Sequence, residues 1–341
     1  MYLFNCDYLE GAHPNIMQAL TAANFEQSIG YGEDAHCENA ARLILEKCGN
    51  PAVHVHFLVG GTQANTTVIA SLLRPYEGVL SAETGHINVH ETGAIESAGH
   101  KVLALAGTLG KISARQVEEA VLLQGNDEHI VKPGMVYISH PTEFGTLYTK
   151  AELTTLYAVC QKNALPLFID GARLGYGLSA SETDLALPDI CALCDIFTIG
   201  GTKVGALFGE AVVIKSDSHN HNFRYMIKQR GGMLAKGRLL GIQFETLMAD
   251  GLYEKIAAHA ISLAEKINAT LKEKGIPLLI DSPTNQLFPI FTSAQLRQLE
   301  KRFAFAVWEK LSDGLTAVRI CTSWATDEKM VQSLIQEILS L

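Results

Sequence analysis

The sequence predicts an α/β protein: a large domain with a mainly parallel sheet of seven strands, and a small C-terminal α+β domain. Three observations predict it. Seven short apolar, β-branched runs recur at 53–59, 79–82, 101–105, 135–139, 166–170, 195–199 and 211–214. Amphipathic stretches such as 63–73, 114–123 and 151–162 separate most of them, the alternation expected of parallel strands with helical crossovers. After about residue 235 the pattern changes to two long helical stretches, 236–249 and 252–274. Short strand-like runs at 277–280, 286–291 and 316–321 follow, with a closing helix near 327–340. The organisation is therefore an N-terminal segment (1–20), a large domain (21–235) and a small domain (236–341). The first segment carries no complete unit of its own and is expected to pack across domains or subunits.

Composition narrows the class of partner. The 341 residues are 48% hydrophobic and 18% charged, too apolar for a disordered chain. The 27 basic and 36 acidic residues give a net charge of −9, which argues against nucleic acid or an anionic membrane as general partner. No apolar run reaches the ~18 residues of a membrane span. The first residues, MYLFNCDYLE, lack the basic stretch and apolar core of a signal peptide. Seven scattered cysteines fit a reduced interior, so a cytoplasmic location is expected.

Several motifs do not carry chemistry. No GxGxxG follows a strand. GTLGKI (107–112) lacks the glycine and the Ser/Thr of a phosphate loop, with Leu105 and Ile112 at those positions. Cys191 and Cys194 form a lone CxxC and read as core residues. His54 and His56 share a strand face without a third ligand. His86 and His90 lie four apart, but Ile87 stands where HEXXH needs glutamate, so no metal site is expected. His219–Asn222 reads as a polar loop.

The informative residues follow predicted strands, where open α/β sheets bind ligands. GGTQAN (60–65) would set Gly60, Gly61 and Thr62 at a helix start, a turn that can also cradle phosphate. Asp170 ends an apolar run and needs a cation, either Arg173 or a protonated ring nitrogen of a cofactor. Lys203, among small residues in GGTKVGA, reads as a loop lysine or as a desolvated amine nucleophile. A phosphate cradle, a flat histidine, a strand-end aspartate and a downstream lysine are the parts pyridoxal phosphate needs.

With these segments in order, the chain resembles the threonine aldolase branch of the fold-type-I pyridoxal-phosphate enzymes, also described as β-eliminating-lyase-like. The segments are YGED (31–34), GGTQAN (60–65), GHINVHETGA (85–94), DGARL (170–174), GGTK (200–203), RGGMLAKG (230–237) and VRICTSW (318–324). The resemblance implies pyridoxal 5′-phosphate held by Lys203 through a Schiff base, with Asp170 pairing its pyridinium. It implies His86 stacked on the ring, Gly60, Gly61 and Thr62 at the phosphate, and Arg173 and Arg319 at the substrate carboxylate. Asn5 and Asp7 match an N-terminal segment that closes over the site, with Asn5 at the substrate. A homodimer or homotetramer is implied as well.

Three departures stand out. The turn before the lysine is GGT rather than serine-rich. HPTE (140–143) stands where relatives often have ENTH, so the second substrate-hydroxyl histidine maps to Glu143, or with a shift to His140. RGGMLAKG puts Leu234 and Ala235 where relatives have Arg and Gln; Arg230 or Lys236 is the substitute, across a subunit interface. The expected reaction is cleavage of a β-hydroxy-α-amino acid to glycine and an aldehyde, with His86 or Glu143 as base. The alternatives are another reaction on the same cofactor (β-elimination, racemisation or transamination), an inactive cofactor-binding relative, or a metal-dependent hydrolase.

Overall fold

The computed structural model describes residues 1–125 and 127–341. The strands among them are β1 (Tyr2–Leu3), β2 (His54–Leu58), β3 (Glu77–Ala82), β4 (Val102–Leu105), β5 (Lys132–Ser139), β6 (Leu167–Asp170) and β7 (Ile196–Gly200). Then come β8 (Glu210–Ile214), β9 (Leu278–Ile280), β10 (Gln286–Thr292), β11 (Phe303–Ala304), β12 (Ala306–Lys310) and β13 (Leu315–Cys321).

The large sheet has seven strands in the order β2-β8-β7-β6-β5-β3-β4. All seven apolar runs of the sequence lie in it. Every residue of β6, β7 and β8 is buried, as expected of strands covered on both faces. Along β6 the side chains alternate between layers: Leu167 and Ile169 join one core, Phe168 the other. The helix Gly61–Leu72 covers the second face through Ala64, Val68 and Ile69. One strand departs from the parallel pattern. β8 runs antiparallel to both β7 and β2, because the connection 201–209 is too short for the crossover that a parallel neighbour requires.

Helix starts follow capping chemistry. Ser113 with Gln116, and Thr149 with Glu152, form reciprocal capping boxes at the helices Ala114–Gln124 and Lys150–Lys162. His219–Asn222, expected as loop, begins inside a short helix, Asp217–Asn220, whose N-cap Ser216 accepts from the His219 N–H.

The second sheet has the order β12-β13-β10-β9. The helix Leu252–Glu273 joins the two parts. Its first half, from Tyr253 to Ile261, belongs to the large-sheet core. Its second half, Leu263, Ala264, Ile267 and Leu271, belongs to the core of the small sheet. The preceding helix Arg238–Met248 also packs into the large-sheet core through Phe244, Leu247 and Met248. The N-terminal segment crosses between the parts. β1 pairs in parallel with β11, Phe4 sits in the small-sheet core, and Ile16 sits in the large one.

Candidate active site

The carboxyl ends of β2, β3, β5, β6 and β7 lie on one edge of the sheet, and the chemistry-bearing residues follow them. Gly60 and Gly61 come after β2, His86 after β3, Glu143 after β5, Asp170 ends β6, and Lys203 follows β7. Two glycines let the last two approach. A Cβ at Gly171 would run into the Thr198 carbonyl oxygen, and one at Gly200 into the Ala172 backbone. With both bare, Gly200 N–H donates to the Gly171 carbonyl at 2.9 Å. Gly61, His86, Ser139, Glu143, Asp170, Arg173 and Lys203 line one cavity.

Asp170 is held as an anion. Its Oδ2 accepts from Tyr137 Oη at 2.7 Å and Asn65 Nδ2 at 2.9 Å, and its Oδ1 from Ala172 N–H at 2.9 Å. Burial pushes its pKa up, but His86, those side-chain donors and Lys203 outweigh it, so the pKa lies below the ordinary value.

His86 opens a short helix, His86–Val89. Its Nδ1 meets Glu91 Oε1 at 2.7 Å, and the Glu91 side chain is fully buried. Burial disfavours the imidazolium, yet Glu91 and Asp170 together raise the His86 pKa above its usual value. The His90 ring lies 5.5 Å away, centroid to centroid, tilted by 55°.

Of the two residues that HPTE offers, Glu143 lines the cavity. Its Oε1 accepts from His86 N–H at 2.9 Å and from Ser139 Oγ at 2.6 Å. Its Oε2 is buried and has no hydrogen-bond partner among the described residues. Burial raises its pKa despite the Ser139 hydroxyl. His140 does not line this cavity. It is 1% exposed, its Nδ1 accepts from Tyr148 N–H at 3.4 Å, and burial lowers its pKa to about 4.

The two arginines are engaged by the N-terminal segment. Arg173 donates from Nε to Asp7 Oδ2 at 2.7 Å and from Nη2 to Asp7 Oδ1 at 2.9 Å. Asp7 also accepts from Asn285 Nδ2 at 2.9 Å. Arg319 donates from Nη2 to the Asn5 carbonyl at 3.1 Å and from Nη1 to Gln286 Oε1 at 3.4 Å. Asn5 thus meets Arg319 through its backbone. Its side-chain Oδ1 is buried without a partner among the described residues.

Sequence reasoning missed Asn65, Glu91, Tyr137 and Ser139 as site residues. Asn65 lies one turn beyond Gly61 on the same helix face, a spacing that could have flagged it. Glu91 stands next to His90 in GHINVHETGA, and nothing in that spacing sets it apart. Glu210 was missed too. It begins β8 opposite Gly200, is 2% exposed, and its Oε2 lacks a partner among the described residues. Burial raises its pKa to about 8, with Lys203 opposing and Asp170 reinforcing the shift.

The cavity fits pyridoxal phosphate. A Cβ at Gly60 or Gly61 would meet nothing within 4 Å, so open space lies over the start of the helix Gly61–Leu72. The first intrahelical bond there is Ala64 N–H to the Gly60 carbonyl, so the N–H groups of Gly61, Thr62 and Gln63 point out of the helix end. A lysine, an anionic aspartate and an imidazole share the same cavity. These are the features of a fold-type-I enzyme dependent on pyridoxal phosphate.

The family model for β-eliminating lyases matches residues 4–331, and the chain belongs to that family. It is 30% identical to a low specificity L-threonine aldolase of a Pseudomonas species, over 98% of this chain and 96% of that protein. A solved structure of threonine aldolase from Leishmania major is 45% identical, with a TM-score of 0.98 over 100% of this chain and 99% of that one. An aspartate aminotransferase from Thermus thermophilus shares the fold at 13% identity, with a TM-score of 0.73 over 100% of this chain and 92% of that one.

Proposed function

We propose that this chain is a threonine aldolase: a lyase dependent on pyridoxal phosphate that cleaves threonine-type β-hydroxy-α-amino acids to glycine and an aldehyde. The observation that carries the reading is the convergence of Lys203, Asp170, His86 and Glu143 on one cavity. The end-to-end likeness to proteins named threonine aldolase supports it.

When bound, pyridoxal phosphate supplies the sink for the electron pair released as the substrate Cα–Cβ bond breaks. The chain's own groups do the rest. Lys203 Nζ would hold the cofactor, and the Asp170 carboxylate its protonated ring nitrogen. The N–H groups at Gly61 and Thr62 would receive the phosphate. The Asp7 pairing leaves Arg173 Nη1 as a donor edge, and that edge with Arg319 orients the substrate carboxylate. Glu143 Oε2 takes the proton of the β-hydroxyl. His86 is the poorer base, because two carboxylates favour its protonated form.

The chain acts as a homodimer or homotetramer in the cytoplasm. Phe25 is 93% and Ile29 69% exposed, which supports self-association. Tyr31–Asp34 and Gly232–Leu234 line a second cavity that shares no residue with the first. This supports their service, with Arg230 or Lys236, to a neighbouring subunit's site.

The test is aldehyde release from L-threonine and L-allo-threonine, with the visible band of the purified protein recorded in parallel. Release by the wild-type chain and its loss in Lys203→Ala support the reading. A normal band without aldehyde, or full turnover in Lys203→Ala, overturns it.

A further inference from the structure

Glu91 and Asp170 are two buried carboxylates bridged by a single amide. Asn65 Nδ2 donates one hydrogen to Glu91 Oε1 at 2.7 Å and the other to Asp170 Oδ2 at 2.9 Å. That uses both hydrogens of the amide. The same Glu91 Oε1 meets His86 Nδ1, while Glu91 Oε2 is buried with no hydrogen-bond partner among the described residues. A fully buried carboxylate served at one oxygen only is costly unless a cation lies against it, and the His86 ring is the group in contact.

We propose that Glu91 is the positioning residue of the site: it fixes a proton on His86 Nδ1, holds the ring as an imidazolium with Nε2 left to the cavity, and is tied to Asp170 by Asn65. The inference rests on the aldolase reading above and deepens it, because it divides the two candidate bases. With Nδ1–H committed to Glu91 and Nε2 also protonated, the ring is a donor and a positive face, and in that form the substrate proton goes to Glu143. Asn65 has a second effect. By donating to both carboxylates it holds the imidazole and the aspartate in one rigid unit, although they follow different strands.

The charged and titratable groups facing His86 are Glu91, Asp170 and Lys203, with the tilted His90 ring beside it and Glu143 on its backbone N–H. Of these, Glu91 alone bonds the ring nitrogen, so the proposal is specific to it.

The experiment is an NMR titration of the His86 ring in histidine-labelled holoenzyme, assigned with His86→Gln, in wild type and Glu91→Gln. The glutamine keeps the volume and removes the charge. The expected result is a His86 titration midpoint lower by about one pH unit or more in the variant, with kcat reduced and KM for threonine little changed. Glu91→Asp keeps the charge on a shorter arm and should titrate between the two, which keeps the test usable if Glu91→Gln fails to fold. An unchanged His86 midpoint in Glu91→Gln, or a Glu91→Asp midpoint equal to that of wild type, overturns the proposal. Absence of the visible cofactor band from the wild-type protein would instead overturn the aldolase reading, so the two failures are distinguishable.

Discussion

Asp7 and Arg173 form a two-point ion pair, Nε to Oδ2 at 2.7 Å and Nη2 to Oδ1 at 2.9 Å, that fastens the N-terminal segment to the turn after β6. The Asp7 side chain is fully buried and that of Arg173 is 14% exposed. Burial raises the Asp7 pKa, but Arg173, Lys203 and Asn285 together bring it below the ordinary value. The pair therefore contributes stability above the unfolded carboxylate pKa and loses it as pH falls through the lower folded one.

Asp7→Asn should cost about 3–5 kcal/mol, because it leaves a buried guanidinium without its anion. It should also raise KM for the amino acid by releasing the Arg173 fork. Chemical denaturation and steady-state kinetics check both. Unchanged stability would show that the pair is not held in solution.

Glu143→Gln should lower kcat by about 10²–10⁴-fold, the range for loss of a positioned base, while the cofactor band persists. Because the Glu143 pKa is raised and the base must be ionised, wild-type activity should fall with decreasing pH from above the ordinary carboxylate value. That acid limb should vanish in the variant. His140→Asn, which keeps an acceptor for Tyr148 N–H, should leave kcat nearly unchanged. A large loss there with none at Glu143 would reverse the assignment.

Arg319→Lys should raise KM roughly 10–100-fold, the worth of about 1.5–3 kcal/mol for hydrogen bonds to a charged group. A lysine cannot present two parallel donors to a carboxylate. A KM unchanged within error would remove Arg319 from the substrate site.

Glu210→Gln tests a buried acid. The folded pKa of about 8 lies above the unfolded value. The stability of the protonated form is thus complete below the unfolded pKa and lost as pH rises through the folded one. The glutamine variant should gain thermal stability over wild type between about pH 5 and pH 8, by roughly 2 °C or more. Scanning calorimetry at both pH values reads this, and a constant difference would refute the placement of an ionising carboxyl there.

The large sheet was legible because its central strands β6, β7 and β8 are buried on both faces and so read as unbroken apolar runs. β11 and β12 escaped notice for the opposite reason. Val307 is 55% exposed, and AVWEK alternates on a half-solvated ladder. The antiparallel course of β8 was readable in principle from the nine positions between β7 and β8. In the site, Lys203, Asp170 and His86 announced themselves by residue type after a strand. Asn65 and Glu91 did not, since a buried amide and a buried carboxylate acquire meaning only from each other's distance. Arg173 showed its charge in the sequence, but not that Asp7 occupies two of its donors.

The pairing of β1 with β11 has a consequence for biosynthesis. Tyr2 lies opposite Phe303, 301 positions later (303 − 2), and Phe4 receives Cys321 N–H at its carbonyl at 2.7 Å. At about 5–20 residues per second, the ribosome delivers that partner roughly 15–60 s after the first strand has emerged. Throughout that interval the opening residues have no ladder to join, and such non-local pairing is slow to close even afterwards. The Asp7–Arg173 pair, carried by a segment whose strand partner is made so much later, therefore closes only after the small sheet is in place.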